Sequence, residues 1–268
     1  MDDFTARLFF GFQIEAAWPK MLPLGRLVAE KERHLTALFL GEQDRQKMVD
    51  LVKTLPQPGF AIGPAGIFTE CLFFPKKHPR CIVWKIDWLT HSDPFFAFQK
   101  ALQDIFVAQN IVKEEKRDFV PHVTISRPPF HPKEWQKTFT PLPVIATGLH
   151  LFESLGHSTY RSLWHMPFIE AYREIEHTAD MAFSIRGSTI YELHQHAQLA
   201  LASAYPPFIG YFAKDPHVDT LEDLISDLNA LISHTDSTIG CPLKAVSYHG
   251  DIKQGSKNVL EWEMIIDV

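Results

Sequence analysis

Two short strings in the chain repeat one arrangement of chemically active side chains. His34 and Thr36 lie in one apolar, strand-like run, and His122 and Thr124 lie in another. Side chains two residues apart in a β-strand share a face, so each run presents an imidazole beside a hydroxyl. Two such strands facing one groove supply a base, an acid and two hydrogen-bond donors. Hydrolysis of a phosphodiester needs this set of groups and can use them without a metal.

Arg127 extends the second string, five residues after His122. Its planar guanidinium is a fixed cation whose donors suit a phosphate. An imidazole pKa near 6.5 allows one histidine to be neutral and the other charged around neutral pH, which predicts a bell-shaped pH profile. The chain contains 14 histidines. A packed, non-catalytic histidine is therefore the simpler interpretation of either string taken alone.

The elements around the strings alternate between strands and helices in an α+β order. This order makes two similar passes, each with one His-x-Thr strand, and predicts two α+β lobes with a groove between them. Periodicity and turn residues set the expected bounds. Strands are predicted at 7–14, 66–74, 80–88, 144–153 and 160–167, and helices at 42–55 and 94–109.

The pattern restarts after residue 168, and the length of the chain favours two domains, 1–169 and 170–268. The second domain is expected to be a small α+β unit in which a strand is followed by two helices and two late strands. Thr220 is a predicted helix cap. The predicted strands are 181–186, 244–249 and 259–267, and the predicted helices are 188–202 and 220–232.

Charge is unevenly distributed between these two parts. Residues 1–169 carry a net charge of +3 and residues 170–268 carry −9, which together give the −6 of the chain. The first part suits a substrate with phosphates, and the second suits cations or a basic protein surface. The apolar runs are shorter than the roughly 18 residues of a membrane span, so we expect a cytoplasmic protein without membrane contact. Three cysteines without CxxC spacing indicate neither disulfides nor a zinc site.

The residues around the two strings carry a family resemblance. The stretches 33–42 and 119–127 resemble the RNA 2',3'-cyclic phosphodiesterase branch of the 2H phosphoesterase family. Arg7-Leu8-Phe9 and the stretch 151–160 add to a resemblance that spans most of residues 5–168. It implies a bilobal fold and metal-independent opening of a terminal 2',3'-cyclic phosphate to a 2'-phosphate. One departure is the segment 16–26, where prolines prevent the helix usual in the family.

The resemblance also implies roles for individual residues. His34 would protonate the leaving 3' oxygen and His122 would activate water, although the near symmetry of the site leaves the order open. Thr36, Thr124 and Arg127 match phosphate contacts of the family. Phe39 and Tyr160 are candidates for stacking on a base or ribose, or for plain lining of the groove.

The second part has a resemblance of its own. The string Ile175-Glu176-His177-Thr178-Ala179-Asp180, the string 244–249 and the final pair Asp267-Val268 resemble archease, the small protein that activates the tRNA-splicing RNA ligase. Asp180, Asp267 and a carboxylate at Val268 are hard oxygen donors, so we expect a divalent calcium or magnesium ion there. The resemblance implies that Lys244 contacts the ligase or its nucleotide site. Archeases have a longer segment between the second helix and the string that corresponds to 244–249. Here only a short loop, 233–242, is expected in its place.

Together the two resemblances predict a chain that processes RNA 2',3'-cyclic phosphate ends and assists the RNA ligase that seals such ends, a role in tRNA processing and RNA repair. One alternative is a non-catalytic adaptor that binds RNA ends for the ligase. Another is a 2H phosphodiesterase acting on 2',5'-linked oligonucleotides or small cyclic nucleotides, which share the same phosphate chemistry.

Overall fold

The computed structural model describes residues 4–115, 117–177, 180–212, 217–248 and 250–268, which form two β-sheets with packed helices. Three residues of the archease-like strings, Thr178, Ala179 and His249, lie outside the described residues. Within the described ranges, no helix combines the length and apolar character needed to cross a membrane.

The first sheet has eight strands, and six of them close into a ring. The order is β1-β3-β6-β5-β4-β7-β8, with β7 also paired to β1 and β2 attached to β6. The strands predicted from the sequence are confirmed with small shifts at their ends. The bounds are β1 Thr5–Ala16, β2 Arg26–Leu27, β3 His34–Asp44, β4 Ala65–Phe74, β5 Cys81–Trp88, β6 His122–Arg127, β7 Leu142–Gly156 and β8 Thr159–Pro167.

The sequence predicts two α+β lobes with a groove between them. In the structure the strands of both predicted lobes belong to this one sheet. The late strand β7 pairs with β1 along one edge and with β4 along the other. The halves of the ring meet again at β3 and β6, where Leu35 pairs with Val123. This narrow junction places the two His-x-Thr strands side by side.

Three helices accompany the first sheet: α1 Arg45–Leu51, α2 Ser92–Ala108 and α3 Pro132–Thr138. The prediction of a helix from residue 42 was wrong at its start, because β3 continues to Asp44, whose side chain caps α1. Helix α2 buries an apolar stripe against the sheet, and Gln99 donates to the Ala37 carbonyl of β3 at 3.1 Å. The segment 16–26 contains no helix, as its prolines predict.

The second sheet has five strands, in the order β11-β13-β10-β9 with β12 paired to β13. Helix α5 begins at a capping box between Thr220 and Asp223. It continues to Ile239, so the predicted loop 233–242 is helical over most of its length. The bounds are β9 Tyr172–Ile175, β10 Met181–Gly187, α4 Ile190–Ala204, α5 Leu221–Ile239, β11 Ala245–Val246, β12 Lys253–Gln254 and β13 Leu260–Asp267.

The two sheets contact each other through helix α4. Ile62 and Ile145 of the first part belong to the apolar core beneath the second sheet. Buried polar contacts cross the same boundary, with Thr90 Oγ1 3.0 Å from His196 Nε2. A chain division at residue 169 therefore stays a prediction, since packed side chains from both parts share one core.

Candidate active site

The structure brings the two His-x-Thr strings together on one face of the sheet. Strands β3 and β6 are antiparallel, with Leu35 opposite Val123. His34 therefore lies at the register position of Thr124, and Thr36 lies at that of His122. Leu35 and Val123 are fully buried on the other face, whereas the four polar residues are partly exposed. Each imidazole faces a hydroxyl across the strand pair, so the site has approximate two-fold symmetry.

Backbone carbonyls fix the same tautomer in both histidines. His34 Nδ1 lies 2.9 Å from the carbonyl oxygen of Glu32, and His122 Nδ1 lies 2.7 Å from that of Val120. A carbonyl can only accept, so Nδ1 carries the proton in each ring. Nε2 is then the nitrogen that takes up or releases a proton. Either ring can therefore act as a base when neutral and as an acid when charged.

Both histidines are more easily deprotonated than a free imidazole. Burial lowers the pKa of His34 to about 4, and the positive charges of Arg127 and His122 add to this effect against the Glu32 carbonyl, which raises it. Burial also lowers the pKa of His122, while its bond to the Val120 carbonyl raises it. The expectation that one histidine is charged at neutral pH is thus corrected for the free protein. Desolvation disfavours the imidazolium in both rings.

Arg127 lies at the end of β6, close enough to His34 for its charge to affect that ring. Its Nε donates to Ser158 Oγ at 3.2 Å. Ser158 and its neighbour His157 have φ angles of 61° and 51°, and together they form the tight turn between β7 and β8. The hairpin therefore holds the guanidinium near His34, where it can meet a phosphate.

Aromatic rings surround the imidazoles. The His34 ring centroid lies 4.8 Å from that of Phe9, 5.4 Å from that of Phe152 and 4.7 Å from that of Tyr160, whose ring is edge-on. His122 has an edge-on contact with Phe74 at 5.2 Å. These rings exclude water from one side of each imidazole, which is the physical origin of the lowered pKa values.

The two predicted stacking residues occupy different positions. Tyr160 contacts His34, and its backbone N–H donates to the Glu32 carboxylate at 3.0 Å. Phe39 is 63% exposed and contacts Phe9, with centroids 5.9 Å apart. A nucleobase can therefore reach the face of Phe39, whereas Tyr160 packs against the imidazole of His34.

Sequence reasoning did not assign a site role to Phe9, Glu32, Phe74, Phe152 or Ser158. Glu32 could have been noticed, because it lies two residues before His34 just as Val120 lies two residues before His122. The three phenylalanines could not, since their contacts depend on which strands pair across the ring.

The predicted metal ligands lie at one end of the second sheet. Met181 pairs with Ile266, which places Asp180 and Asp267 at opposite register positions just beyond this pair. The Lys244 backbone N–H donates to the Asp267 carbonyl at 2.8 Å, and its ammonium donates to the Val268 carbonyl oxygen. Among the described residues, no three His, Cys, Asp or Glu side chains are placed to hold a metal. The predicted site therefore depends on Val268 for a third donor, and the Lys244 ammonium already donates to the Val268 carbonyl oxygen.

Comparison with known proteins supports a relationship for the first part of the chain. No family model matches. Over 158 residues the chain is 29% identical to the RNA 2',3'-cyclic phosphodiesterase of Thermotoga maritima, a match covering 53% of this chain and 78% of that protein. This homology supports a hydrolase of the phosphodiesterase class. It does not show the resemblance of the second part to archease.

Solved structures similar to this chain include two bacterial proteins. TT0787 of Thermus thermophilus is 18% identical with a TM-score of 0.45, over 60% of this chain and 97% of that one. E. coli LigT complexed with 3'-AMP is 20% identical with a TM-score of 0.43, over 61% and 98% of the two chains.

Proposed function

We propose that the first part of the chain hydrolyses RNA terminal 2',3'-cyclic phosphate to a 2'-phosphate. The observation that carries this proposal is the symmetric pair of imidazoles on β3 and β6, each locked as the Nδ1–H tautomer by a backbone carbonyl. Each ring lies beside a threonine hydroxyl, and the charge of Arg127 lies near the His34 ring. The proposed substrate class is supported by the similarity to a protein named RNA 2',3'-cyclic phosphodiesterase.

In the proposed reaction, one neutral imidazole takes a proton from water through Nε2. The resulting hydroxide attacks phosphorus, and the bond between phosphorus and O3' breaks. The second imidazole, in its charged form, donates its Nε2 proton to O3', which leaves as the ribose hydroxyl. Thr36, Thr124 and Arg127 donate to the non-bridging oxygens, where negative charge grows in the transition state. The product is a 2'-phosphate monoester. The base ring is left charged and the acid ring neutral, and proton exchange with solvent water restores both starting forms.

The environments of the two rings favour one assignment of base and acid. His34 is packed against three aromatic rings and lies near the Arg127 charge, which lowers its pKa to about 4. A base must be neutral, and an acid must be charged, in the same protein molecule. We therefore propose His34 as the base and His122 as the acid, the reverse of the order that the family resemblance implies.

The first test is incubation of the purified protein with a labelled RNA ending in 2',3'-cyclic phosphate, with EDTA present. We expect complete conversion to a terminal 2'-phosphate, because the imidazoles and Arg127 supply every proton and every donor in the proposed reaction. Phosphatases specific for one position then show whether the product phosphate is on the 2' or the 3' oxygen, because only the matching phosphatase removes it. Binding of the RNA without conversion would contradict hydrolysis and support the adaptor alternative. Turnover of small cyclic nucleotides or 2',5'-linked oligonucleotides in place of RNA ends would support the other.

For the second part of the chain, we propose a weak divalent cation site at Asp180 and Asp267. Its support is their opposite register positions at the end of β10 and β13, with the carbonyl oxygen of Val268 as the third donor. The measurement is calorimetric titration with CaCl2 and with MgCl2. We expect Asp267→Asn to abolish the binding heat and Lys244→Ala to increase affinity, because the ammonium no longer competes. Equal heats in all three proteins would contradict the site.

Assistance to a tRNA-splicing RNA ligase stays a prediction from the archease resemblance. Lys244 is exposed at the same end of the sheet as the proposed cation site. A ligase contact and the cation site would then share one surface of the second part. Ligated product formed by such a ligase, with and without this chain, measures the effect directly.

A further inference from the structure

A row of rings continues from the catalytic face across the neighbouring strands. Phe152 and His150 of β7 are stacked, with centroids 5.0 Å apart and planes 8° apart. His150 and His165 of β8 are a cross-strand pair, with centroids 5.5 Å apart and planes 21° apart. We call Phe152, His150 and His165 the outer ring row. Phe152 also contacts His34, the proposed general base, so the row begins at the catalytic histidine.

Gly11 makes the continuity of this row possible. In β1 it lies between Thr36 of β3 and His150 of β7. A β-carbon at this position would lie 3.2 Å from His34 Cδ2 and 3.2 Å from the ring of Phe152. At that distance one of the rings would have to shift by a few tenths of an ångström. The missing side chain therefore lets the catalytic ring and the outer ring row approach each other over the central strand.

The outer ring row is ordered but is not needed by the proposed reaction. His150 Nδ1 and Ser162 Oγ are 2.8 Å apart, which fixes the plane of this ring. Burial, and to a smaller extent the charge of His165, lowers the pKa of His150 to about 4, so its ring is neutral at pH 7. His165 is exposed at the outer end of the row. A neutral ring suits a nucleobase better than a phosphate.

Building on the proposed function, we propose that the exposed ring of His165, supported from behind by the stacked rings of His150 and Phe152, is a stacking platform for a nucleobase of the RNA upstream of the terminal nucleotide. Exposed rings on a sheet face hold single-stranded RNA bases in several unrelated folds, and histidine is among the rings used. In this arrangement the RNA chain leads away from the ribose of the bound terminal nucleotide and passes over β7 and β8. The preferred substrate is then an RNA of several nucleotides and not a mononucleotide.

The test compares kcat/KM for a 2',3'-cyclic mononucleotide with kcat/KM for cyclic-ended RNAs of two to five nucleotides. We expect the wild type to prefer the longer RNAs. His165→Ala and His150→Ala should each reduce the ratio of oligonucleotide to mononucleotide by about 5- to 100-fold, the range seen when one stacking ring is removed. His165→Phe keeps a flat ring and should retain the preference. His131→Ala, an exposed histidine outside the row, is the matched control.

A ratio that stays the same in His165→Ala and His150→Ala would overturn the platform. Equal losses on both substrates would also overturn it and would assign the rings to support of His34. If the wild type hydrolyses no cyclic phosphate, the proposed function fails while the platform is still tested. In that case, fluorescence anisotropy with a labelled single-stranded RNA of five nucleotides should show weaker binding by His165→Ala than by His131→Ala, and equal binding would overturn it.

Discussion

Replacing either His34 or His122 with alanine is expected to lower kcat/KM for cyclic-phosphate RNA by about 10²- to 10⁴-fold, the usual contribution of a positioned acid or base. Each ring is locked with Nδ1 donating to a backbone carbonyl, so only Nε2 exchanges protons. The double variant should be little worse than the single ones, because the two rings act in one concerted proton balance. His217→Ala, whose side chain is 93% exposed, is the control and should retain activity.

The pH dependence of kcat/KM tests the assignment of the two roles. The active form has one neutral and one charged imidazole, and both pKa values are lowered in the free protein. We therefore expect a bell whose maximum lies below pH 6.5, since the active form is most populated between the two pKa values. The residual activity of His34→Ala should lose the acidic limb, and that of His122→Ala should lose the alkaline limb. The opposite pattern would reverse the proposed roles, and activity retained in both variants would contradict the mechanism.

Replacing Arg127 with alanine is expected to lower kcat/KM by about 10²- to 10³-fold, the usual effect of removing one donor to developing negative charge. Arg127→Lys should recover only part of this loss, because an ammonium lacks the planar fork of a guanidinium. The variant also has a second, independent effect. The charge of Arg127 lowers the pKa of His34, so this pKa should rise in Arg127→Ala, as measured by NMR titration of the imidazole.

Arg26→Ala is the matched control for Arg127. The two arginines pair across β2 and β6, so both changes remove one positive charge from the same end of β6. Only Arg127 is bonded to Ser158 and acts on the pKa of His34. Equal losses in the two variants would indicate a general effect of charge on RNA attraction, which added salt would also reduce. A loss confined to Arg127→Ala would indicate a direct contact with the phosphate.

Most of the local structure could be predicted from the sequence, because periodicity and breakers act over a few residues. The alternation around His34 and His122 predicted two strands, and Thr220 predicted a helix start that the structure confirms. The errors occurred where a neighbouring segment decides the outcome. The start of α1 moved because β3 pairs with β1 up to Asp44. The end of α5 moved because burial of Thr235 continues the helix beyond residue 232.

The sequence by itself determined the chemical groups of the candidate site: two imidazoles, two hydroxyls and one guanidinium, with each imidazole beside a hydroxyl. Those facts depend on residue type and on the two-residue repeat of a strand. Only the tertiary structure decided that β3 and β6 are neighbours, that backbone carbonyls set both tautomers, and that aromatic rings from β1, β7 and β8 lower the pKa of His34. The two carbonyls are close to their histidines in the chain, but their geometry is fixed by the strands. The pairing of β3 with β6 joins Leu35 to Val123, and the aromatic surroundings depend on β1–β7 pairs more than one hundred positions apart; no local pattern in the chain encodes such pairings.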